Sequence, residues 1–137
     1  MLTRYGRSCT SIRMARTEDL DQTVGGAQLL RWSIAASADT VTIELEGELD
    51  LANCEALREV LREVTSRKPG QVVVDLAQLS FLDSSGIRCL IGAVQDAAGG
   101  ETGFVVRQPQ AAVRRVMEVC GVDELLLGAS GSDTPDR

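Results

Sequence analysis

The sequence predicts an α/β domain: a mixed β-sheet with helices packed mainly on one face, in the order β-β-α-β-α-β-α. Three observations carry this. Leu30, Trp32 and Ile34 alternate with Arg31 and Ser33, while Val41, Ile43 and Leu45 alternate with Thr42, Glu44 and Glu46. That is the period-two pattern of two half-buried strands, and the short Ala38-Asp39-Thr40 segment joins them as a hairpin. Next, three later segments space apolar residues at i, i+3, i+4 and i+7, the stripe of an amphipathic helix. Finally, the apolar runs Val72-Val73-Val74 and Phe104-Val105-Val106 fall between those helices. A hairpin followed by helical crossovers requires antiparallel pairing at one end of the sheet and parallel pairing across the crossovers. The clean alternation in the hairpin leaves one sheet face wet and sends the helices to the other.

Each element follows from its residues. Residues 1–26 hold arginines, Ser and Thr, then Gly25-Gly26, with no apolar period, and read as a flexible extension. The folded domain is expected over 27–128, followed by a small polar tail at 129–137. The first helix carries the stripe Leu57, Val60, Leu61 and Val64, with Arg58 and Arg62 each three residues after a glutamate (Glu55, Glu59). Lys68-Pro69-Gly70 stops it, and Gln71 to Leu76 forms a strand whose valine run suits a central position. The second helix has the stripe Ile87, Leu90, Ile91 and Val94 and ends at Gly99-Gly100. Pro109 suits the first turn of a third helix, with stripe Val113, Val116, Met117 and Cys120 and Gly121 as its C-terminal cap. Leu125-Leu126-Leu127 reads as a short final strand or packed tail.

Composition removes several function classes. The chain has 137 residues, a length typical of one domain, and a net charge of −6. A nucleic-acid partner would need a basic stripe that is missing here. No apolar run approaches the roughly 18 residues of a membrane span, and no signal-peptide core precedes the domain, so a cytoplasmic location without membrane contact is expected. Histidine is absent. That excludes Ser-His-Asp and Cys-His nucleophiles, and there is neither a phosphate-cradling P-loop nor a dinucleotide fingerprint. Cys9, Cys54, Cys89 and Cys120 contain no C-x-x-C pair, which speaks against zinc and against a secreted disulfide framework. Cys89 and Cys120 are expected to be reduced, buried packing residues. No cofactor, metal or catalytic activity is expected.

What remains is a surface. Two strand-to-helix loops, Gly47-Glu48-Leu49-Asp50-Leu51 and Ser80 to Gly86, should gather at the carboxyl ends of the parallel strands. Asp50 and Ser84 are then neighbours despite their separation in sequence. Asp and Ser are also favoured helix N-caps, so the Gly47–Asp50 loop taken alone reads equally well as a turn and a cap, and the serine loop taken alone reads first as a cap. Together on one edge they form a plausible binding surface. Two adjacent serines between Asp83 and Gly86 exceed what one cap needs.

Gly47-Glu48-Leu49-Asp50, Val72-Val73-Val74-Asp75-Leu76 and Leu79-Ser80-Phe81-Leu82-Asp83-Ser84-Ser85-Gly86 resemble the bacterial anti-sigma factor antagonists of the STAS family, over about Ala27 to Leu127. The resemblance implies a small mixed sheet flanked by helices, and a partner switch in transcription regulation. In such a switch the unphosphorylated antagonist binds an anti-sigma factor that is also a serine kinase, freeing a sigma factor. Phosphorylation ends the binding, and a phosphoserine phosphatase restores it. By resemblance the acceptor is Ser84, Asp50 is the loop aspartate beside it, and Ser85 and Gly86 make the turn into the helix. The partner surface then comprises Gly47, Glu48, Leu49 and Asp50 with Ser80, Asp83, Ser84, Ser85, Gly86, Ile87 and Arg88. Arg88 departs from the small or apolar residues usual in similar sequences, which bears on which anti-sigma factor is accepted. A monomer or weak dimer is expected. The alternative is a STAS-like scaffold or signal-relay subunit that does not act on sigma factors.

Overall fold

The computed structural model describes residues 23–128. Its elements are β1 (Thr23–Ala27), β2 (Leu30–Ser37), β3 (Thr40–Leu49), α1 (Cys54–Ser66), β4 (Gln71–Leu82), α2 (Ser84–Gly99), β5 (Gly103–Arg107), α3 (Ala111–Val119) and α4 (Asp123–Leu127). The strands form one sheet in the order β1-β2-β3-β4-β5. β1, β2 and β3 pair antiparallel, and β3-β4 and β4-β5 pair parallel. The mixed sheet expected from the hairpin and crossovers is therefore present.

Alternation decides the two faces. Trp32 lies across from Leu45, Ile34 from Ile43, Ile43 from Val74 and Val74 from Val106, all of them buried. This row meets Leu57, Val60, Leu61 and Val64 of α1, Ile87 and Leu90 of α2, Val113 and Met117 of α3, and Leu126 of α4 in one core. The opposite face presents Arg31, Glu44 and Glu46 to solvent. At about 25 cal/mol per Å² of apolar surface, burying each of these large side chains contributes roughly 1.5–3 kcal/mol, offset by chain entropy.

Several expectations need correction. The expected extension runs into the sheet, because residues 23–26 belong to β1, paired with β2 from Thr23↔Ile34 to Ala27↔Leu30. Two adjacent glycines erase any side-chain period there, and backbone pairing alone makes the strand. Residues 1–22 and the tail at 129–137 lie outside the described residues. β4 continues to Leu82 instead of ending at Leu76. Register shifts between Glu44 and Glu46 and between Gly47 and Glu48 of β3 set extra residues into β4, so its buried positions pass from Val72, Val74 and Leu76 to Leu79 and Leu82. That broken alternation made the second half look like a loop.

The second helix buries Cys89, Ala93 and Ala97 along with Ile87 and Leu90, whereas Ile91 and Val94 are only half-buried. Small residues let α2 sit close against its neighbours. The expected Glu55–Arg58 and Glu59–Arg62 support is missing, and the ion pair on α1 is Glu63–Arg67 at 2.7 Å. α3 starts at Ala111, two residues after Pro109, and Cys120 is its exposed C-cap residue instead of a core position. Gly121 follows with φ +74°, as a helix-terminating residue should. Leu125–Leu127 closes the domain within the short helix α4, with Leu126 buried.

Candidate functional site

The site is built from two corners where parallel strands end and helices begin. Leu49 of β3 and Leu82 of β4 are register partners, both buried, so Asp50 and Asp83 leave adjacent strand ends together. The Asp83 backbone N–H donates to the Leu49 carbonyl at 3.3 Å, locking the two corners to one another. The shared edge expected for Asp50 and Ser84 is thus what the strand register produces.

At the α2 corner the strand passes into the helix through one residue. Asp83 is extended (φ −110°, ψ −174°) and its Oδ1 accepts from Gly86 N at 3.0 Å, so Asp83 is the N-cap. Ser84 is the first helical residue and exposed, and its hydroxyl has no hydrogen bond among the described residues. Ser85 is half-buried, Ile87 is buried, and Arg88 is exposed one turn along the helix. Gly86 is buried where an added Cβ would come 2.5 Å from Leu82 Cδ1 and 2.9 Å from Leu49 Cγ. The helix N-terminus therefore sits directly on the two strand ends.

The α1 corner is a turn with its polar groups paired internally. Asp50 Oδ1 accepts from Ala52 N at 3.0 Å. Asn53 is fully buried, its Oδ1 accepting from Asp50 N at 3.0 Å and its Nδ2 donating to the Glu48 carbonyl at 2.9 Å. Asp50 is therefore a turn residue, and the N-cap position falls to Asn53, which makes no side-chain cap bond. Asn53 was not among the expected site residues. The signal that could have found it is an Asn immediately before a helical stripe.

A third contribution comes from the bulged strands. Gly47 has φ +108°, and a Cβ there would lie 2.1 Å from the Leu29 carbonyl oxygen, so only glycine fits. Glu48 N donates to that same carbonyl at 3.1 Å, which brings the β1–β2 turn onto this edge. Ser80 Oγ donates to the Gly47 carbonyl at 3.0 Å, joining the two strands across the bulge. Three exposed apolar side chains outside the expected partner surface also lie here: Leu29 (64 %), Leu51 (74 %) and Phe81 (46 %). Phe81 is the register partner of Glu48. Exposed apolar groups beside Glu48, Asp50 and Asp83 suit a protein partner better than a small polar ligand.

Under the corners lie two thiols. Cys54 opens α1, and Cys89 of α2 donates from Sγ to the Cys54 carbonyl at 3.5 Å. Burial pushes the Cys89 thiol up to about 12, with Cys54 and Glu55 adding to the rise and Arg58 and Arg62 opposing it. Among the described residues, no group of His, Cys, Asp and Glu is arranged to hold a metal ion. No helix there is long and apolar enough to cross a membrane.

A five-stranded mixed sheet that delivers two helix N-termini side by side defines a small α/β domain of the STAS fold. The chain belongs to the STAS domain family, whose model, described as "Mlab, STAS domain", matches residues 32–128. It is 28 % identical over 92 residues to the anti-sigma-F factor antagonist RsfB of Mycobacterium tuberculosis, covering 67 % of this chain and 75 % of that one. It is also 28 % identical over 102 residues to an anti-sigma F factor antagonist of Lysinibacillus sphaericus, covering 72 % and 86 %. Among solved structures, an anti-sigma factor antagonist from Mycobacterium paratuberculosis matches with TM-score 0.65 and 27 % identity over 71 % of this chain and 82 % of that one. The antagonist SpoIIAA in its unphosphorylated form shares the fold, with TM-score 0.62 and 23 % identity over 70 % and 85 %.

Proposed function

We propose that this protein is an anti-sigma factor antagonist that works in the cytoplasm as a binding module without catalysis, switched by phosphorylation of Ser84. One observation supports this above the others. Ser84 is an exposed hydroxyl on the first turn of α2, relieved of capping by Asp83 and set on the edge that also carries Asp50. The family membership and the antagonist relatives support an anti-sigma factor as the class of partner; in this proposal it carries the serine kinase activity, and a phosphoserine phosphatase completes the cycle.

The geometry gives the switch its energetics. A phosphate on Ser84 adds about −1.5 to −2 charges and three acceptor oxygens. The α2 N-terminus tolerates that charge through its dipole and its unclaimed first-turn amides, so the fold stays intact. The surroundings do not welcome it. Asp83 already holds the Gly86 amide, and Asp50 and Glu48 lie on the same edge. A partner shaped to an uncharged serine beside these carboxylates loses packing and meets excess negative charge. A penalty of ~3 kcal/mol weakens binding more than a hundredfold.

Intact-mass measurement after incubation with the anti-sigma kinase and ATP tests the reading. Wild type and Ser85→Ala should each gain one phosphate, and Ser84→Ala none, while still binding the anti-sigma factor. A phosphate on Ser84→Ala would reassign the acceptor. Failure of wild type to bind or be modified would favour the signal-relay scaffold that leaves sigma factors alone.

A further inference from the structure

We infer that Cys54 and Cys89 are a redox modification site, closing to an intramolecular disulfide that ties the first turn of α1 to α2 in response to a low-molecular-weight disulfide such as oxidised glutathione. The placement carries it. Cys89 Sγ already reaches the backbone of Cys54, 3.5 Å from its carbonyl oxygen. Cys54 Sγ bonds only to the Leu51 carbonyl at 3.6 Å, a weak contact that a side-chain rotation exchanges for Cys89. The same two helices meet again one turn further on, where the Arg58 side chain of α1 lies over Gly92 of α2 and an added Cβ would come 2.6 Å from Arg58 Cζ. Bridging swings Cys54 Sγ away from the Leu51 carbonyl and toward the Cys89 sulfur that already touches the Cys54 backbone. The third described thiol, Cys120, is exposed at the C-terminal cap of α3.

Exposure sets the order of steps. Cys54 is half-buried and Cys89 is buried, so the reagent meets Cys54 first. The Cys54 thiolate attacks one sulfur of the small disulfide, forming a mixed disulfide and expelling one equivalent of small thiolate. Cys89 then loses its proton, and its sulfur attacks Cys54 Sγ, expelling the second small thiolate. Two protein thiols are oxidised, one small disulfide is reduced to two thiols, and the protons end on the expelled thiolates. Because burial keeps the Cys89 thiol protonated, closure is slow at neutral pH and accelerates with rising pH. The cross-link lies directly beneath the turn holding Leu51, Asn53 and Asp50. It pins that corner against the helix that opens with Ser84.

The test uses the full chain with Cys9 and Cys120 replaced by serine, incubated with oxidised glutathione and no kinase or partner. The expected product is a monomer lighter by two hydrogens, with both thiols lost to a thiol reagent and one non-reduced peptide joining Cys54 to Cys89. Dithiothreitol should reverse it. Cys89→Ser in the same background should stop at one glutathione on Cys54, with Cys89→Ala as the substitute if the serine variant does not fold. Accumulation of the mixed disulfide without closure in the two-cysteine chain, or disulfide-linked dimers, would overturn the inference. So would persistence of both free thiols.

Discussion

The two corners on the carboxyl edge of the sheet solve the same local problem in opposite ways. At the α1 corner a turn separates strand from helix, and its polar side chains are committed to the turn itself: Asp50 holds Ala52, and the buried Asn53 holds both Asp50 and Glu48. At the α2 corner one residue suffices, and Asp83 caps the helix alone, leaving the Ser84 hydroxyl exposed and uncommitted. The first corner is therefore a support and the second a presentation. A residue can be modified without unfolding its neighbourhood when another side chain already does its structural work. That is the arrangement around Ser84, and it is absent around Asn53.

This contrast can be broken most forcefully at the support. Asn53→Ala leaves the Asp50 amide and the Glu48 carbonyl without their partner in a part-buried turn, and should cost about 3 kcal/mol. Thermal or urea unfolding would register it, and a loss under 1 kcal/mol would mean that water replaces the amide and the corner is not held by Asn53. The next largest effect belongs to the presenting corner and appears in binding, not stability. Ser84→Asp should unfold like wild type yet bind the anti-sigma factor roughly tenfold more weakly in titration calorimetry, one charge imitating part of a phosphate.

Removing the cap separates the neighbours further. Asp83→Ala should lose ~1 kcal/mol of stability, whereas Ser84→Ala should lose less than about 0.5 kcal/mol because Ser84 caps nothing. Equal losses would show the capping to be shared. Asp50→Asn probes the link between the corners: an amide oxygen can still accept from Ala52 N, so stability should change by less than about 0.5 kcal/mol. Binding or phosphorylation rate should nonetheless fall, since the carboxylate charge is lost beside Ser84. Unchanged affinity and rate would remove Asp50 from the site. The smallest effect is expected at Cys120→Ala, within about 0.5 kcal/mol, because that side chain is exposed. A core-sized loss would return Cys120 to the packed face of α3.

The legible parts of the fold were those where periodicity and secondary structure coincide. The hairpin alternation from Leu30 to Glu46 and the stripe Leu57–Val60–Leu61–Val64 gave strands and a helix whose buried faces are the ones observed. The motif around Ser84 was visible because capping chemistry and a surplus hydroxyl are local features. Cys120 was misjudged because helical spacing places a residue on a stripe but does not say where the helix ends. Here the helix stops at Val119 and leaves the thiol outside.

By itself, then, the sequence determined the types of the elements with a clear period and the buried face of the hairpin and of α1, and it picked out the serine motif at the mouth of α2, since all depend on residues within a few positions of each other. Only the tertiary structure decided three things. β1 exists because β2 offers its backbone, not because Thr23–Ala27 has a pattern of its own. β4 reaches Leu82 because two bulges against β3 shift which side chains face the core, a choice made by the partner strand. Asn53 and the Cys54–Cys89 contact take their roles from groups brought together across the chain, Glu48 and Asp50 for the first and α2 for the second. Local sequence carries propensity and periodicity. It does not carry the register between strands or the distance between helices, which packing sets once the whole core is assembled.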